Sequence, residues 1–223
     1  GTSPTPAGGL SREQAVAAAR ALARMHLAFE KPGVLEKLSW LPLTVFNIGG
    51  GTDEAMVSKE SMQEEFSNKA GVELNFIRQA VPAGAYEAVS RMLQGGLTEV
   101  CERLGEEPLT FCHGDFRTEN LRFRTVPVDP EVATFDFGLS CRAQACYDLA
   151  YFIMLSQPPH ARREREGELI FAYLTERGED PNVTWGPLFE AVKVGSLGVL
   201  ALTLMTRLAA RNAGFYKETR ETQ

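Results

Sequence analysis

The chain has 223 residues, 44% of them hydrophobic and 23% charged, which are ordinary values for a globular protein and exclude a disordered chain. Its formal net charge is -6 at pH 7, and it has no densely basic stretch of the kind that binds nucleic acid. This balance does not exclude nucleotide binding, because magnesium can supply the positive charge. The length suits one large domain or two small ones of about 100–200 residues each.

Four cysteines and three histidines are present, and no two cysteines form a CxxC pair. A structural zinc site is therefore not expected, and reduced thiols in a cytoplasmic protein are the simpler interpretation. The N-terminus lacks the basic and apolar regions of a signal peptide. An apolar run from Val194 to Thr206 is shorter than the ~20 residues that span a bilayer, so it predicts a buried helix rather than a membrane span.

The first helix has clear start and stop signals. Residues 1–10 are rich in Pro, Gly and Thr and predict a flexible N-terminal segment. Ser11 then has the position of an N-cap, and Gln14 completes a capping box ahead of apolar residues at helical spacing. Pro32 ends the pattern. His26 lies on the apolar face, and we expect it to be packed and hydrogen-bonded rather than catalytic.

Two further helices are predicted before the middle of the chain. One runs from about Ser58 to Ala70. The other begins after Pro82 and keeps one apolar face as far as Leu104. Gly95 and Gly96 interrupt this second helix, so a kink or break is expected there.

The pattern then changes from helical to extended and back again. Three short runs predict strands: Leu109 to Cys112, Leu121 to Arg124 and Val132 to Phe135. After the last of these, three helices are expected: about Ala143–Leu155, Ala161–Arg177 and Pro187–Asn212. The expected fold class is α+β, mainly helical, with a small β element that holds the polar motifs.

The polar motif HGDFRTEN (113–120) lies between two predicted strands, and the next strand ends in DFG (136–138). Chain reversal can bring Asp136 beside Asn120, and together they offer the carboxylate and amide oxygens that magnesium prefers. Asp115, on the same loop as Asn120, can orient an attacking hydroxyl and accept its proton. Each motif alone is a weak signal, but their order between strands indicates phosphoryl transfer.

Several segments resemble a known superfamily. FCHGDFRTENLRF (111–123), ATFDFGLS (133–140) and CYDLAYF (146–152) resemble the aminoglycoside phosphotransferase and choline-kinase-like superfamily, and most closely its ecdysteroid-kinase-like (CHK-kinase-like) branch. LSREQAVAAARALARMHLAFE (10–30) resembles the helix that opens its C-terminal lobe. The likeness covers nearly all of residues 10–212, although only the central motifs are specific.

The resemblance implies a role for each matching residue. Asp115 would be the catalytic base, and Asn120 and Asp136 would bind magnesium and, through it, ATP. His113 would brace the catalytic loop. Asp148 would be a buried acid that hydrogen-bonds the loop and fixes its shape.

The resemblance also implies a missing part. A kinase of this superfamily has an N-terminal lobe of strands, with a phosphate-covering loop and a Lys paired with a helical Glu. Only ten loose residues precede Ser11, and Gly49 to Gly51 do not lie between two strands. We therefore expect a protein-kinase-like C-terminal lobe over 11–216, a tail over 217–223, and an N-lobe or protein partner that covers the cleft.

The expected function is ATP- and magnesium-dependent phosphoryl transfer to a hydroxyl of a small molecule. The alternative is a non-catalytic pseudokinase, or a structural subunit of a larger assembly. The intact Asp115, Asn120 and Asp136 indicate a catalytic ancestry in either case. A metal-dependent hydrolase ranks lower, because two-metal sites need more carboxylates or histidines. A protein kinase is not expected, because the CYDLAYF helix follows Asp136 too closely for a peptide-binding activation segment.

Overall fold

The computed structural model describes residues 9–46, 63–68, 71, 78, 82–124 and 130–212, with side chains as far as residue 205. The α-helices with complete bounds are α1 Arg12–Phe29, α2 Ala83–Arg91, α3 Leu97–Leu104, α4 Cys146–Leu155, α5 Pro159–Glu176 and α6 Pro181–Asn212. The strands are β1 Thr110–Cys112, β2 Leu121–Arg124, β3 Glu131–Thr134 and β4 Cys141–Ala143. Short 3-10 turns cover Leu35–Leu38 and Thr118–Asn120. The mainly helical α+β class predicted from the sequence is confirmed.

Some predicted segments lie partly or wholly outside the residues that the structure describes. The helix expected over Ser58–Ala70 is described in its middle, where residues 63–68 are helical. Most of the N-terminal segment, the glycine turn at 49–51 and the tail over 217–223 lie outside the described residues.

Helix α1 begins at the predicted capping box. The Ser11 hydroxyl accepts a hydrogen bond from the Gln14 backbone N–H at 3.2 Å, and the Gln14 side chain accepts one from the Ser11 N–H at 3.0 Å. These two bonds satisfy backbone donors that the first turn of a helix leaves free. The alanine-rich inner face, with Leu22 and His26, is buried, and α1 packs on α5.

The predicted break between α2 and α3 is confirmed. A wide helical turn over Met92–Gly96 separates the two helices, and inside it Gly95 has φ 111°. That angle suits glycine because it has no Cβ. Beyond the break, α3 buries Leu97, Val100 and Leu104 on one face.

The strands form two antiparallel pairs that hold the polar loops. β2 pairs with β3, with Leu121 opposite Thr134. β1 pairs with β4, with Cys112 opposite Cys141. β2 and β3 follow one another in the chain, whereas β1 and β4 lie on either side of them. The loop after β1 meets the segment after β3, where His113 Nε2 lies 3.0 Å from the Phe135 carbonyl oxygen.

The prediction of only three strands and of a helix from Ala143 is wrong. Residues Cys141–Ala143 form strand β4, and α4 starts at Cys146. The short run of Cys, Arg and Ala has little β propensity of its own. Its strand form depends on the ladder with β1, which is a contact between distant parts of the chain.

The predicted start of the last helix is also wrong. Helix α6 begins at Pro181, and Pro187 lies inside it. Asp180 precedes the helix and accepts a hydrogen bond from the Asn182 N–H through Oδ1 at 2.9 Å. An acidic cap followed by proline is a strong start signal.

Helices α4 and α6 form the centre of the core. Helix α4 is buried along nearly its whole length and makes its most extensive contact with α6. The segment Pro181–Met205 of α6 could cross a membrane by length and composition alone, with a mean hydropathy of 1.7. A core helix of a soluble protein meets the same criteria. Val199, Ala201 and Leu202 are buried inside the protein, but only 39% of the most apolar stretch is buried, so we interpret α6 as a helix with one face in the core.

Candidate functional site

The loop between β1 and β2 and the segment after β3 lie side by side. The Phe135 N–H donates to the Asn120 carbonyl oxygen at 3.2 Å, which continues the β2–β3 ladder by one residue. Asp136 follows directly, is exposed, and has φ 64°. The structure therefore brings the backbones of the two predicted magnesium ligands together at the edge of this strand pair.

Asp115 is held by donors on both of its oxygens. Oδ1 accepts a hydrogen bond from the Tyr151 hydroxyl at 2.6 Å, and Oδ2 accepts one from Asn120 Nδ2 at 2.8 Å. Arg117 Nε lies 3.1 Å from Oδ1, as a charge contact without an aligned hydrogen bond. The Asp115 side chain is 13% exposed, so it is oriented from within the protein but can still be reached from outside.

The orientation of the Asn120 amide follows from the same contacts. Its Nδ2 group donates to both the backbone oxygen and Oδ2 of Asp115, each at 2.8 Å. Both amide hydrogens are thereby used. The Oδ1 atom is then the part of the buried amide that suits a hard cation such as magnesium.

Asp148 lies beneath the start of the loop and is fully buried. Its Oδ2 accepts a hydrogen bond from the His113 N–H at 2.6 Å, and its Oδ1 accepts one from the Gly114 N–H at 2.9 Å. Gly114 has φ 82°, and a Cβ at this position would lie 2.6 Å from the carbonyl carbon of Leu139 and closer still to its oxygen. The loop can approach Asp148 this closely because residue 114 has no side chain.

His113 connects the two polar segments. Its Nδ1 accepts a hydrogen bond from the Asp115 N–H at 3.3 Å, and its Nε2 lies 3.0 Å from the Phe135 carbonyl oxygen. These partners require a neutral ring with the proton on Nε2. The ring also packs on Phe137, with centroids 4.7 Å apart. His113 thus joins the loop that carries Asp115 to the segment that carries Asp136.

His26 extends this support to α1 and α5. Its Nδ1 lies 2.7 Å from the Tyr173 hydroxyl, and its Nε2 lies 3.3 Å from Asp148 Oδ2. Burial raises the pKa of Tyr173 far above its ordinary value, so the hydroxyl remains protonated and donates a hydrogen bond to His26 Nδ1. The expectation that His26 is packed and hydrogen-bonded agrees with these contacts.

A buried cluster of possible metal ligands is better explained as structural. His26, Cys112 and Asp148 place ligand atoms within 4.8 Å of one another. Burial raises the pKa of Cys112 well above its ordinary value, so the thiol is protonated, and it lies 3.6 Å from the Gln144 carbonyl oxygen. A thiolate is what a metal ion would need. The other two side chains are already engaged in hydrogen bonds to the loop and to Tyr173.

Sequence reasoning missed Tyr151, although a signal for it exists. Tyr151 follows Asp148 by three residues in α4, a spacing that puts two side chains on the same helix face. If Asp148 faces the loop, its neighbour one turn later faces the loop as well. Burial and the bond to Asp115 together raise the pKa of Tyr151, so its hydroxyl remains a donor.

An apolar cavity of about 300 Å³ lies next to the loop. It is lined by residues of α1, β1 and β3, together with Phe116 and Phe137. Phe135 and Phe137 are 39% and 48% exposed. The site therefore borders an apolar surface of the described part of the chain.

Comparison with known proteins identifies the family of the chain and a similar fold. Residues 7–178 match the model of the ecdysteroid kinase-like family. A search of curated proteins found no match. Among solved structures, an ethanolamine kinase from Plasmodium vivax is similar, with 16% sequence identity and a TM-score of 0.50.

The alignment with that kinase covers 96% of this chain and 58% of the kinase chain, so the chain spans little more than half of its length. At this identity the likeness shows a shared fold, and it supports the predicted kinase-like architecture. The family match extends over more than half of the sequence and confirms the resemblance predicted from the motifs. The chain belongs to the ecdysteroid kinase-like family.

Proposed function

We propose that the chain carries the catalytic lobe of a small-molecule kinase, which transfers the terminal phosphoryl group of ATP to a hydroxyl. The observation that carries this proposal is the Asp115 carboxylate, oriented through both oxygens yet still reachable. A base for phosphoryl transfer needs this combination, because it must be fixed in place and must also contact the acceptor.

Each step can be assigned to a group of the chain. Asp115 orients the acceptor hydroxyl and accepts its proton as the new oxygen–phosphorus bond forms and the bond to the leaving ADP breaks. Asn120 Oδ1 and the exposed carboxylate of Asp136 would hold magnesium beside the phosphates. When bound, magnesium neutralises the phosphate charge. The Arg117 side chain is 40% exposed next to Asp115, so its guanidinium can also approach a phosphate.

The supporting residues explain how the loop keeps this geometry. Asp148 holds the backbone of residues 113 and 114 from α4, and His113 fixes the neighbouring segment through the Phe135 carbonyl. The loop that carries the Asp115 carboxylate is therefore held by buried residues of the core and not by surface contacts. Four free cysteines, all buried, fit the proposed cytoplasmic location.

The second candidate is a non-catalytic subunit of a larger assembly. It is favoured by the exposed Phe135 and Phe137. Exposed apolar patches usually serve as interaction sites. An N-lobe or protein partner over this surface fits both candidates, since ATP in this fold class binds between two lobes.

Calorimetry of ATP binding, with and without magnesium, distinguishes the two candidates. We expect binding that depends on magnesium and disappears in Asp136→Ala. Glu36→Ala, which changes an exposed acid on the turn Leu35–Leu38, is the matched control and should bind as the unchanged chain does. Failure of the unchanged chain to bind ATP with magnesium would favour the non-catalytic subunit.

A further inference from the structure

Among the described residues, the Tyr151 hydroxyl makes the shortest contact to the Asp115 side chain, at 2.6 Å. We propose that Tyr151 is a positioning residue for the phosphoryl transfer, one that fixes the orientation of the Asp115 carboxylate toward the acceptor hydroxyl. The inference rests on the proposed function. It goes further by assigning to α4 the task of orienting the base as well as the loop backbone.

Helix α4 is suited to this task because it is buried along nearly its whole length. Tyr151 is 6% exposed, and its ring packs against Tyr147 with centroids 5.9 Å apart. One turn earlier on the same helix, Asp148 binds the N–H groups of His113 and Gly114. A single helix face therefore holds the loop backbone just before Asp115 and the carboxylate of Asp115 itself.

The other two donors cannot replace Tyr151. Asn120 belongs to the same loop and binds Oδ2, so it moves with Asp115 and does not anchor it to the core. Arg117 also belongs to the loop, and its Nε contacts Oδ1 without an aligned hydrogen bond. Without the Tyr151 hydroxyl, the carboxylate is free to turn toward Arg117 and form an aligned ion pair. That rotation would take Oδ1 away from the position in which the core holds it.

Tyr151 does not act as the acid or base. Burial and the contact with Asp115 raise its pKa, so it stays protonated and keeps donating. The groups around this contact are Asp115, Arg117, Asn120 and, deeper in α4, Asp148. The role that remains for Tyr151 is geometric.

Tyr151→Phe tests the inference, and Tyr147→Phe is its matched control. The Tyr147 hydroxyl is buried and has no hydrogen-bond partner among the described residues, so its removal deletes an oxygen in the same helix without breaking a bond. The first measurement is hydrogen exchange of the Asn120 side-chain amide by NMR, with the signal assigned from Asn120→Ser. We expect slow exchange in the unchanged chain and in Tyr147→Phe. In Tyr151→Phe we expect at least about tenfold faster exchange, because rotation of the Asp115 carboxylate toward Arg117 breaks the bond from the Asn120 amide to Oδ2.

The second measurement is release of inorganic phosphate from ATP with magnesium, with water as the acceptor. In Tyr151→Phe we expect kcat to fall roughly 10- to 100-fold while KM for ATP changes less than about twofold, since the lost contact orients the base and does not bind the nucleotide. Tyr147→Phe should retain both values.

Each outcome has a defined meaning. Equal amide exchange in Tyr151→Phe and the unchanged chain would overturn the inference, and so would unchanged kcat in Tyr151→Phe. Faster amide exchange in a chain that never releases phosphate, with or without the substitution, would support the anchoring of Asp115 by Tyr151 and count against phosphoryl transfer. The two failures are therefore distinguishable.

Discussion

Gly114→Ala tests the close approach of the loop between β1 and β2 to the segment after β3. Gly114 has φ 82°, and an added Cβ would collide with the Leu139 backbone carbonyl. Two costs arise. The left-handed backbone costs about 1–2 kcal/mol for a residue with a Cβ, and forcing an atom into occupied space costs about 1–3 kcal/mol.

The expected destabilisation is therefore roughly 2–5 kcal/mol, a large fraction of the ~5–15 kcal/mol that stabilises a typical domain. The backbone carbonyl cannot rotate away as a flexible side chain could, so relief requires the loop to move. Such a movement would also lengthen the hydrogen bonds from His113 and Gly114 to Asp148. We expect part of the destabilisation to come from those bonds.

Gly33→Ala separates the two costs. Gly33 has φ 75°, and nothing lies within 4 Å of the added Cβ, so this variant tests backbone strain alone. Urea denaturation of both variants gives the two free energies of unfolding, and thermal melts should show Tm falling about 2–4 °C per kcal/mol. The reasoning is refuted if Gly114→Ala is no less stable than Gly33→Ala.

Three further predictions concern the support of the loop, the thiols and the start of α1. Asp148→Asn should destabilise the chain by roughly 2–4 kcal/mol in urea denaturation, because one of the two backbone N–H donors then faces an amide N–H₂, which cannot accept. Asp180→Asn changes an exposed cap and should cost less than about 0.5 kcal/mol. Equal effects of the two substitutions would contradict the assigned contacts. All four cysteines are buried, and burial raises the pKa of Cys146 to about 12, so little thiolate exists at pH 8. Reaction with a thiol reagent at pH 8 should be slow in the native chain and complete in denaturant, and fast native labelling would be inconsistent with this burial. Ser11→Ala should cost about 0.5–2 kcal/mol in the same denaturation assay through loss of the capping box, whereas Arg12→Ala, which removes an exposed ion pair, should cost less than about 1 kcal/mol.

Local signals in the sequence predicted many of the elements. The capping box at Ser11, the glycine break at Gly95 and the alternation over Leu121–Arg124 all appear where expected. Each of these signals depends on residues within a few positions of one another. The energies that decide them are hydrogen bonds and backbone preferences inside one element, so a short stretch of sequence is sufficient.

Elements that depend on distant partners were missed. β4 exists because Cys141–Ala143 pair with β1, about 30 residues away in the chain by the cross-strand register. The early start of α6 depends instead on a local signal, because Asp180 and Pro181 form an acidic cap followed by proline.

In the candidate site, too, some features follow from local sequence and others from contacts between distant residues. Motif order and residue type singled out Asp115, Asn120 and Asp136, because the chemistry of phosphoryl transfer asks for oxygen ligands and a carboxylate base. The sequence by itself thus determined the family, the fold class and the candidate base. The sequence did not show which oxygen and nitrogen atoms of these side chains are left free of hydrogen bonds within the protein.

Tertiary structure alone decided how the candidate base Asp115 is held. The Tyr151 hydroxyl meets Asp115 across 36 positions, and His26 meets Asp148 across 122 positions. Helical spacing places Tyr151 on the same face as Asp148, but the contacts themselves form only when α1, α4 and α5 pack around the loop. A buried polar group must find a partner when it leaves water, and the packed core determines which partner is within reach.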